Sequence, residues 1–508
     1  MKDLGQYTDI HYDSRQVSPG SIFVAIIGDD VDGHDYIKAA INKGAVLIIA
    51  EKQITVPEGI ELCVVEDSRQ ELARLSSDFY GKPDQTIDLI AVTGTNGKTT
   101  MTHLLQELLP KTALLGTMGL KTSAKADYDD LGNTTPQSKE IYRILADLVN
   151  HNFKYLAMEV SSHALEQKRV AGLQYKAAVI TNLTQDHLDY HVTMDNYFEA
   201  KAKLFKQVSE YVLLNADDEY YERFKNKLGS LTSFSFALNA DADYQAIDIR
   251  PVSKHSFDVQ VAQKKVATAR NARVAFGDNS DFQNKSIEYN AAGMSYTVVA
   301  KGNRLGEVAL QLNGQFNVYN SLAAIAVALE EGIKFEDIQK QLAKIPPVAG
   351  RFEVIQTETS PTCVVDYAHS PDGLLNVLQG ARGLVDHAND SRLICLFGCG
   401  GDRDITKRPK MGTIAYDLAD YIYVTSDNPR SEDPDQIIAD ILTGIPDLNK
   451  VKVIADRRQA IQAAVAEARQ GDVLVVAGKG HEDYQILRTE TIHFDDREEV
   501  RKGIGMCS

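Results

Sequence analysis

A glycine-rich turn beginning at Gly94 has the residue types needed to hold phosphate. A buried-strand pattern over residues 87–93 runs into this turn, and a helical pattern follows it to residue 109. Backbone N–H groups in such a turn, together with the helix N-terminus, form a concave site for phosphate oxygens. A lysine adds positive charge there, and a hydroxyl can reach Mg²⁺. We therefore predict a nucleotide-phosphate site made by Gly94, Thr95, Asn96, Gly97, Lys98, Thr99 and Thr100.

The spacing of this turn differs from that of the general P-loop, which has four residues between its glycines. Here only Thr95 and Asn96 separate Gly94 from Gly97. An ordinary strand-to-helix turn is therefore the alternative interpretation. The buried strand before the turn and the helix after it favour the phosphate site.

A carboxylate follows a second buried-strand pattern, at residues 155–160. Glu159 closes this pattern, and doubly wound sheets bind their ligands at the carboxyl ends of strands. A carboxylate in that position is a suitable ligand for Mg²⁺. The alternative interpretation is that Glu159 caps a helix beside Ser161.

The elements that position these residues are predicted to form three α/β domains. Strand and helix patterns alternate over residues 21–50, which indicates a small α/β N-terminal domain at 1–84. Residues 85–345 are predicted to form a mostly parallel sheet covered on both faces, with an antiparallel appendage at 295–300 and 307–312. A second doubly wound sheet is predicted for 346–508, after the linker at 345–347.

Composition excludes several classes of protein. The net charge of −17 and the pI near 5.2 leave no basic field for binding nucleic acid or an anionic membrane. Five scattered cysteines do not make a disulfide framework, and no apolar run reaches the roughly 18 residues that a membrane span needs. We predict a monomeric cytoplasmic protein without nucleic-acid partner or membrane insertion.

Five motifs together resemble the Mur ligase family, whose members build the peptide stem of peptidoglycan, and the resemblance extends from residues 13–15 to residues 496–498, nearly the whole chain. The motifs lie at residues 94–100, 158–163, 182–191, 350–353 and 366–369. The resemblance implies an ATP-dependent ligase that phosphorylates a carboxylate, so that an amine can then attack the acyl phosphate. It further implies that the chain adds a third residue, meso-2,6-diaminopimelate, to UDP-N-acetylmuramoyl-L-alanyl-D-glutamate.

The resemblance also implies a set of metal ligands. Thr99 and Glu159 would hold one Mg²⁺, and His187 would serve a second metal. Lys201 would carry a CO₂-derived carbamate that supports the second Mg²⁺. The neighbouring Lys203 lies on a different helix face and is interpreted as a surface residue.

The remaining site residues follow from the same resemblance. Ser14 would bond the UDP portion, near Tyr12, Asp29, Asp30 and Val31. The muramoyl-peptide arm would contact Asn133, Thr134, Thr135, Ser161, Gln167 and Arg169. ATP would contact Asn317, Arg351 and Asp366. The amino acid would be bound by Arg403, Asp427, Asn428, Pro429, Arg430, Gly478 and Glu482.

Arg430 carries the prediction of diaminopimelate, because a guanidinium fork can bind the second carboxylate of this amino acid bidentately. L-Lysine lacks that carboxylate, and its selection would leave the buried arginine without an anionic partner. The alternatives are the same reaction with L-lysine or another diamino acid, a sister ligase of the folate-polyglutamating or D-alanyl-D-alanine-adding type, and a non-catalytic nucleotide-sensing module.

Overall fold

The computed structural model describes residues 4–28, 31–123, 126–253, 291–357, 359–385 and 390–506. Two compact units divide the chain. The first comprises Met1–Gly94, Met101–Asn182 and Asp195–Ser235. The second comprises Thr95–Thr100, Leu183–Met194 and Phe236–Ser508. Asp29 and Asp30, both predicted to lie near UDP, fall outside the described residues.

The N-terminal sheet has four parallel strands in the order β1-β2-β3-β4. The strands are β1 (Ile10–His11), β2 (Ile22–Val24), β3 (Leu47–Ala50) and β4 (Glu61–Val64). Successive side chains of a strand point to opposite faces. Ile22 and Val24 therefore pack toward the helix Ser68–Phe79, whereas Phe23 packs toward the helix Ile37–Asn42.

A ten-stranded mixed sheet carries the phosphate-binding turn. Its order is β14-β13-β12-β11-β10-β9-β5-β8-β6-β7. The strands are β5 (Asp88–Thr93), β6 (Thr112–Gly116), β7 (Gly119–Lys121), β8 (Tyr155–Glu159), β9 (Tyr175–Ile180), β10 (Val208–Asn215), β11 (Thr232–Ala237), β12 (Tyr244–Ser253), β13 (Ala291–Ala300) and β14 (Asn303–Leu310). Strand β5 lies between β8 and β9 and is parallel to both. The turn that begins at Gly94 follows β5, and Glu159 is the last residue of β8. Both therefore lie at the carboxyl ends of neighbouring strands.

Eight helices of this part of the chain are described, and the first agrees with the helical pattern predicted to end at residue 109. They are Lys98–Leu108, Ser138–Asn150, Ser162–Glu166, Leu188–His191, Met194–Ala202, Tyr221–Lys227, Gln315–Glu330 and Phe335–Leu342. The predicted appendage is confirmed, because β13 and β14 pair antiparallel. The helix Gln315–Glu330 begins directly after Gly314, which has a φ of 86°.

The C-terminal sheet is parallel except for one edge strand. Its order is β15-β16-β20-β17-β18-β19, with β15 antiparallel to β16. The strands are β15 (Glu353–Ile355), β16 (Thr362–Asp366), β17 (Leu393–Phe397), β18 (Tyr421–Val424), β19 (Val451–Val453) and β20 (Val473–Ala477), and a separate hairpin consists of β21 (Tyr484–Ile486) and β22 (Thr491–His493).

Helices cover both faces of this sheet. They are Pro371–Arg382, Lys407–Leu418, Pro434–Leu442, Arg457–Glu467 and Asp496–Gly503. The first three pack into one hydrophobic cluster and the last two into another. The strands alternate accordingly, since Cys395 faces the first cluster and Leu396 the second. The predicted doubly wound sheet is confirmed.

Candidate functional site

Two glycines give the phosphate-binding turn its shape. Gly94 has a φ of 149° and Gly97 a φ of 87°, both in a region that side chains disfavour. A Cβ on Gly97 would lie 2.3 Å from Oδ1 of Asn320. The helix Lys98–Leu108 starts inside the turn, and the Lys98 ammonium donates to the Thr95 carbonyl at 2.9 Å. The geometry is that of a strand, a tight turn and a helix N-terminus.

Three residues of the turn are held by other parts of the second unit. The Thr95 hydroxyl donates to the Thr184 carbonyl at 3.1 Å and accepts from the Thr184 N–H at 3.0 Å. Asn96 Nδ2 donates to Asp372 Oδ2 at 2.7 Å. The Arg351 guanidinium donates to the Thr99 hydroxyl at 3.1 Å. The turn is therefore fixed from several sides.

The three residues predicted to contact ATP lie around this turn. Asp366 accepts the backbone N–H groups of Phe352 and Ala368, at 2.7 and 2.8 Å. Burial raises the pKa of the Asp366 carboxyl, although the nearby Arg351 opposes this shift. Asn317 is connected to the turn through Asn320, whose Nδ2 donates to Asn317 Oδ1 at 3.2 Å.

A buried carboxylate lies between two imidazoles in the same unit. Asp186 Oδ2 is 3.5 Å from His187 Nε2 and 3.7 Å from His369 Nε2. Burial alone would raise the pKa of the Asp186 carboxyl, but His187 and His369 outweigh it and hold this pKa well below its ordinary value. His187 has a φ of 54°, so its backbone adopts a conformation that is uncommon outside glycine.

In the first unit, Glu159 is oriented by one threonine. The side chain is 1% exposed. Its Oε1 accepts from the Thr117 N–H at 3.0 Å, and its Oε2 accepts from the Thr117 hydroxyl at 2.9 Å. A Cβ on Gly116 would lie 2.2 Å from Oε1, so glycine is needed there. The carboxylate is buried and fixed in direction.

Lys201 and Lys203 have opposite environments. Lys201 is 1% exposed, and its Nζ donates to the Gly94 carbonyl at 3.0 Å and lies 4.6 Å from the centre of the Tyr197 ring. Lys203 pairs with Glu166 at 2.6 Å and keeps 47% of its side chain exposed. The two lysines therefore point to different surroundings, as the helical spacing suggests.

Four of the residues predicted to contact the peptide arm form one hydrogen-bonded group in the first unit. The Thr135 hydroxyl donates to the Glu159 carbonyl at 2.9 Å and accepts from the Ser161 N–H at 3.1 Å. Arg169 donates to the Thr135 carbonyl at 3.0 Å and to Gln167 Oε1 at 2.7 Å. In addition, Thr134 and Thr117 hydroxyls are 3.2 Å apart. Asn133 is exposed on the same loop.

The residues predicted to surround UDP are spread over the N-terminal sheet. Ser14 is buried, and Val31 is exposed. Burial and the nearby Glu140 carboxylate raise the pKa of Tyr12. Nearby, the Lys139 ammonium lies 3.1 Å from Asp9.

The residues predicted to bind the amino acid gather at the carboxyl ends of β17, β18 and β20. Arg430 has a φ of 52°, and its Nη1 donates to the Gly401 carbonyl at 2.8 Å. Asn428 Nδ2 donates to Glu482 Oε2 at 3.0 Å. Lys479 Nζ contacts the same oxygen at 3.1 Å. Ligands of doubly wound sheets bind at this edge.

The neighbours of this group differ in exposure. Asp427 and Pro429 are buried, and a Cβ on Gly478 would lie 2.6 Å from Asp427 Oδ2. Gly478 has a φ of 123°, which also favours glycine. Arg403 is exposed and donates to the Asp402 carbonyl at 2.9 Å.

Two buried charges in the second unit were not predicted from the sequence. Arg457 and Asp496 form an ion pair whose side chains are both 0% exposed, with Nη2 and Oδ2 at 2.6 Å. Arg457 also donates to the carbonyls of Ser426 and Ala477, at 3.3 and 3.0 Å. These carbonyls immediately precede Asp427 and Gly478. The pair therefore fixes the starts of two predicted binding loops.

Within the described ranges, no group of three or more histidine, cysteine or acidic residues could hold a metal by itself. Mg²⁺ in nucleotide enzymes is commonly held by one or two protein groups, water and the phosphates of the substrate. In the first unit, the single oriented carboxylate of Glu159 is a protein group of that kind.

Family models match three consecutive parts of the chain. The model of the Mur ligase family catalytic domain matches residues 6–80, that of the Mur ligase middle domain matches 92–268 and 258–328, and that of the Mur ligase glutamate ligase domain matches 350–480. A UDP-N-acetylmuramoyl-L-alanyl-D-glutamate–2,6-diaminopimelate ligase from Syntrophomonas wolfei is 41% identical over 503 residues, which cover 97% of this chain and 93% of the relative. The chain belongs to the Mur ligase family.

Other Mur ligases give the same result. The enzyme of the same name from Listeria monocytogenes is 40% identical, over 98% of this chain and 94% of its own length. A solved structure of a UDP-N-acetylmuramoyl-L-alanyl-D-glutamate–2,6-diaminopimelate ligase is 32% identical, with a TM-score of 0.64 over 98% of this chain and 95% of that chain. The fold extends to the MurF ligase of Thermotoga maritima in complex with ADP, at 18% identity and a TM-score of 0.63 over 99% of this chain and 98% of that chain.

These comparisons confirm the predicted family, the three-domain α/β fold class and the assignment as an ATP-dependent ligase. The roles of individual site residues and the domain boundaries stay predictions. No helix in the described part of the Mur ligase chain has both the length and the apolar character that crossing a bilayer requires.

Proposed function

We propose that this Mur ligase joins meso-2,6-diaminopimelate to UDP-N-acetylmuramoyl-L-alanyl-D-glutamate in peptidoglycan biosynthesis, at the expense of ATP. The observation that carries this proposal is the arrangement at the ends of β17, β18 and β20. A guanidinium, Arg430, and a carboxylate, Glu482, are both presented there on ordered loops. A diamino acid with two carboxylates offers complementary charges to both groups.

The reaction must bring two anions together, so the site must hold them in position and neutralise their charge. The D-glutamate carboxylate attacks the γ-phosphorus of ATP, the bond to ADP breaks, and an acyl phosphate forms. The amine of the incoming amino acid then attacks the acyl carbon, and phosphate leaves as the amine loses its proton. Catalysis consists mainly of positioning and charge neutralisation. We propose that Lys98 and the backbone N–H groups of residues 94–100 stabilise the phosphates.

Arg351 and Asp366 are also proposed to contact the ATP that binds at this turn. The Arg351 guanidinium already contacts Thr99 and lies 4.4 Å from the centre of the Tyr367 ring, which supports a fixed position for its charge. Asp366 accepts two backbone N–H groups, so its carboxylate is oriented. We propose ribose contact for Asp366 and phosphate contact for Arg351, with Asn317 near the adenine.

The metal ligands are proposed on the family resemblance and on the fit of the donor groups. Mg²⁺ would supply the positive charge that offsets the repulsion between the phosphates and the substrate carboxylate. The resemblance assigns one ion to Glu159 and Thr99 and a second to His187, and each side chain offers a donor atom that Mg²⁺ accepts. Lys201 is buried, and its Nζ keeps one N–H that can donate to the Gly94 carbonyl when the nitrogen carries a carbamate.

We propose a cytoplasmic location for this reaction. ATP and UDP-linked precursors are cytoplasmic metabolites, and a reducing compartment suits the cysteines. Cys63, Cys363, Cys395 and Cys399 are thiols rather than disulfides.

Amino-acid selectivity with and without Arg430 tests the substrate and its site together. Purified protein would receive ATP, Mg²⁺, bicarbonate, the UDP-muramoyl dipeptide and either meso-diaminopimelate or L-lysine. Phosphate release and the mass of the product would be measured. Arg430→Ala should lower kcat/KM for diaminopimelate by about 10²-fold, because a buried carboxylate loses its charged partner. The rate with L-lysine should change little.

Arg469→Ala is the matched control, since Arg469 is exposed and precedes β20 at the opposite edge of the sheet. It should leave both rates unchanged. Wild-type protein that uses only L-lysine would contradict diaminopimelate as the substrate. Activity with only glutamate or D-alanyl-D-alanine would indicate a sister ligase.

A further inference from the structure

One contact of the phosphate-binding turn has no part in the function proposed so far. Asn96 Nδ2 donates to Asp372 Oδ2 at 2.7 Å, across 276 residues of sequence. Asp372 lies in the first turn of the helix Pro371–Arg382. Because the two residues are so far apart in the chain, this hydrogen bond forms only when the second unit is folded.

Asp372 is not needed to cap its own helix. The hydroxyl of Ser370 accepts from the Gly373 N–H at 3.2 Å and already serves as the N-cap. Burial raises the pKa of the Asp372 carboxyl, and the hydrogen bond from Asn96 opposes this shift. A carboxylate that is partly desolvated in this way needs its donors.

The residues on either side of Asn96 in the turn are held by other segments. Thr184 is bonded to Thr95 through both its N–H and its carbonyl. Gly97, on the other side of Asn96, packs so closely on Asn320 that a Cβ would lie 2.3 Å from its Oδ1. Three consecutive residues of the turn are therefore held by three different segments, and Asp372 is the only one of the three contacts that uses a carboxylate.

We propose that Asp372 is a positioning residue for the phosphate-binding turn: it holds the Asn96 side chain and thereby keeps the backbone N–H groups of the turn aligned for ATP. Preorganised donors lose little free energy of reorganisation when charge develops on the phosphates. The inference rests on the proposed use of this turn for ATP. Loss of the contact should weaken nucleotide binding and slow turnover without changing the amino-acid site.

An exchange of the two side chains tests this directly. Asn96→Asp would place two carboxylates at hydrogen-bond distance, where they repel. Combining Asn96→Asp with Asp372→Asn restores one amide and one carboxylate in reversed positions. The Kd of ADP with Mg²⁺, by calorimetry, and the KM for ATP and for the amino acid would be measured for wild type, both single variants and the double variant.

We expect Asn96→Asp to raise the Kd of ADP by roughly 10- to 100-fold, and the double variant to recover at least about 10-fold of that loss, as expected for directly contacting residues. Asp372→Asn should raise the KM for ATP and leave the KM for the amino acid unchanged. Rescue of this kind would not follow from a role in folding alone, and thermal unfolding of each variant would identify any that does not fold.

Asp435→Asn is the matched control. Asp435 follows Pro434 at the start of the helix Pro434–Leu442, as Asp372 follows Pro371, but it is exposed. This substitution removes the same charge from a helix N-terminus and should change neither Kd nor KM. A folded double variant that binds ADP no better than Asn96→Asp would overturn the inference, and so would an unchanged ADP Kd in Asp372→Leu. If wild type binds ADP but forms no peptide product, the proposed function fails while this comparison still decides the role of Asp372.

Discussion

At the scale of single residues, side chains of the same type differ in burial, and this difference distinguishes their roles. Lys201 and Lys203 are two positions apart, yet one is 1% exposed beside the Gly94 carbonyl and the other pairs with Glu166 at the surface. Helical spacing predicts that they lie on different faces, and the structure agrees. The carbamate itself is chemistry that neither the sequence nor the fold specifies.

The lysine pair allows a controlled test of the proposed carbamate. Lys201→Ala should lower kcat by at least about 10²-fold, since support of a metal is lost. Added short-chain carboxylates should restore part of this activity, because they can replace the carbamate oxygens. The measurement is phosphate release over a series of acetate concentrations.

Lys203→Ala is the control and should retain nearly full activity, with no response to acetate. Full turnover by Lys201→Ala would contradict the metal-supporting role. Equal losses in both variants would indicate a general effect of removing a lysine from this helix.

His481 gives a prediction for pH. Burial and the charges of Arg351 and Arg497 lower the pKa of its imidazole to about 3, from an ordinary 6.5. Between these values the unfolded chain binds a proton that the folded chain does not. The free energy of unfolding should therefore fall as the pH decreases from 6.5 toward 3.

His481→Gln should make the free energy of unfolding less dependent on pH over this window, as measured by urea denaturation at several pH values. His493 is exposed, and His493→Gln should leave the dependence as it is in wild type. An identical pH dependence in wild type and His481→Gln would show that the imidazole does not stay neutral in the folded protein.

At the scale of elements, local patterns predict strands well and long-range pairs poorly. Runs of buried apolar residues identify β8, β17 and β20 because each is covered on both faces. The Arg457–Asp496 pair joins the starts of two helices that are far apart in sequence, and no local periodicity signals it. The sequence patterns also do not indicate the separate hairpin of β21 and β22, because its strands are short and partly exposed.

The buried pair should contribute strongly to stability when only one partner is removed. Arg457→Met leaves the Asp496 charge buried without its partner and should reduce the free energy of unfolding by about 3–5 kcal/mol. Adding Asp496→Leu should recover part of that loss. Denaturation followed by circular dichroism would measure both.

The half-exposed pair of Lys452 and Glu467 provides the comparison, and Lys452→Met should reduce the free energy of unfolding far less than Arg457→Met does. Because Arg457 also holds the carbonyls of Ser426 and Ala477, Arg457→Met should raise the KM for the amino acid. A loss of stability as small as that of Lys452→Met would contradict the importance of the buried pair.

At the scale of the whole molecule, the fold class could be predicted because strand and helix patterns alternate in three successive regions. The assignment of residues to the two compact units could not be predicted from such patterns. The turn Thr95–Thr100 and the segment Leu183–Met194 group with residues after Ser235 rather than with their own neighbours in sequence. Such grouping depends on contacts between distant segments, such as Arg351 with Thr99.

This grouping has a consequence for synthesis on the ribosome, where chains emerge from the N-terminus. Thr95–Thr100 leaves the exit tunnel long before Asn320, Arg351 and Asp372, which later hold it in place. A nascent chain that has grown only to Ser235 thus contains the sequence of this turn without these three supports. Under the proposed role of the turn, ATP can stabilise the newborn protein through it only after the segment that contains Asp372 has also been synthesised.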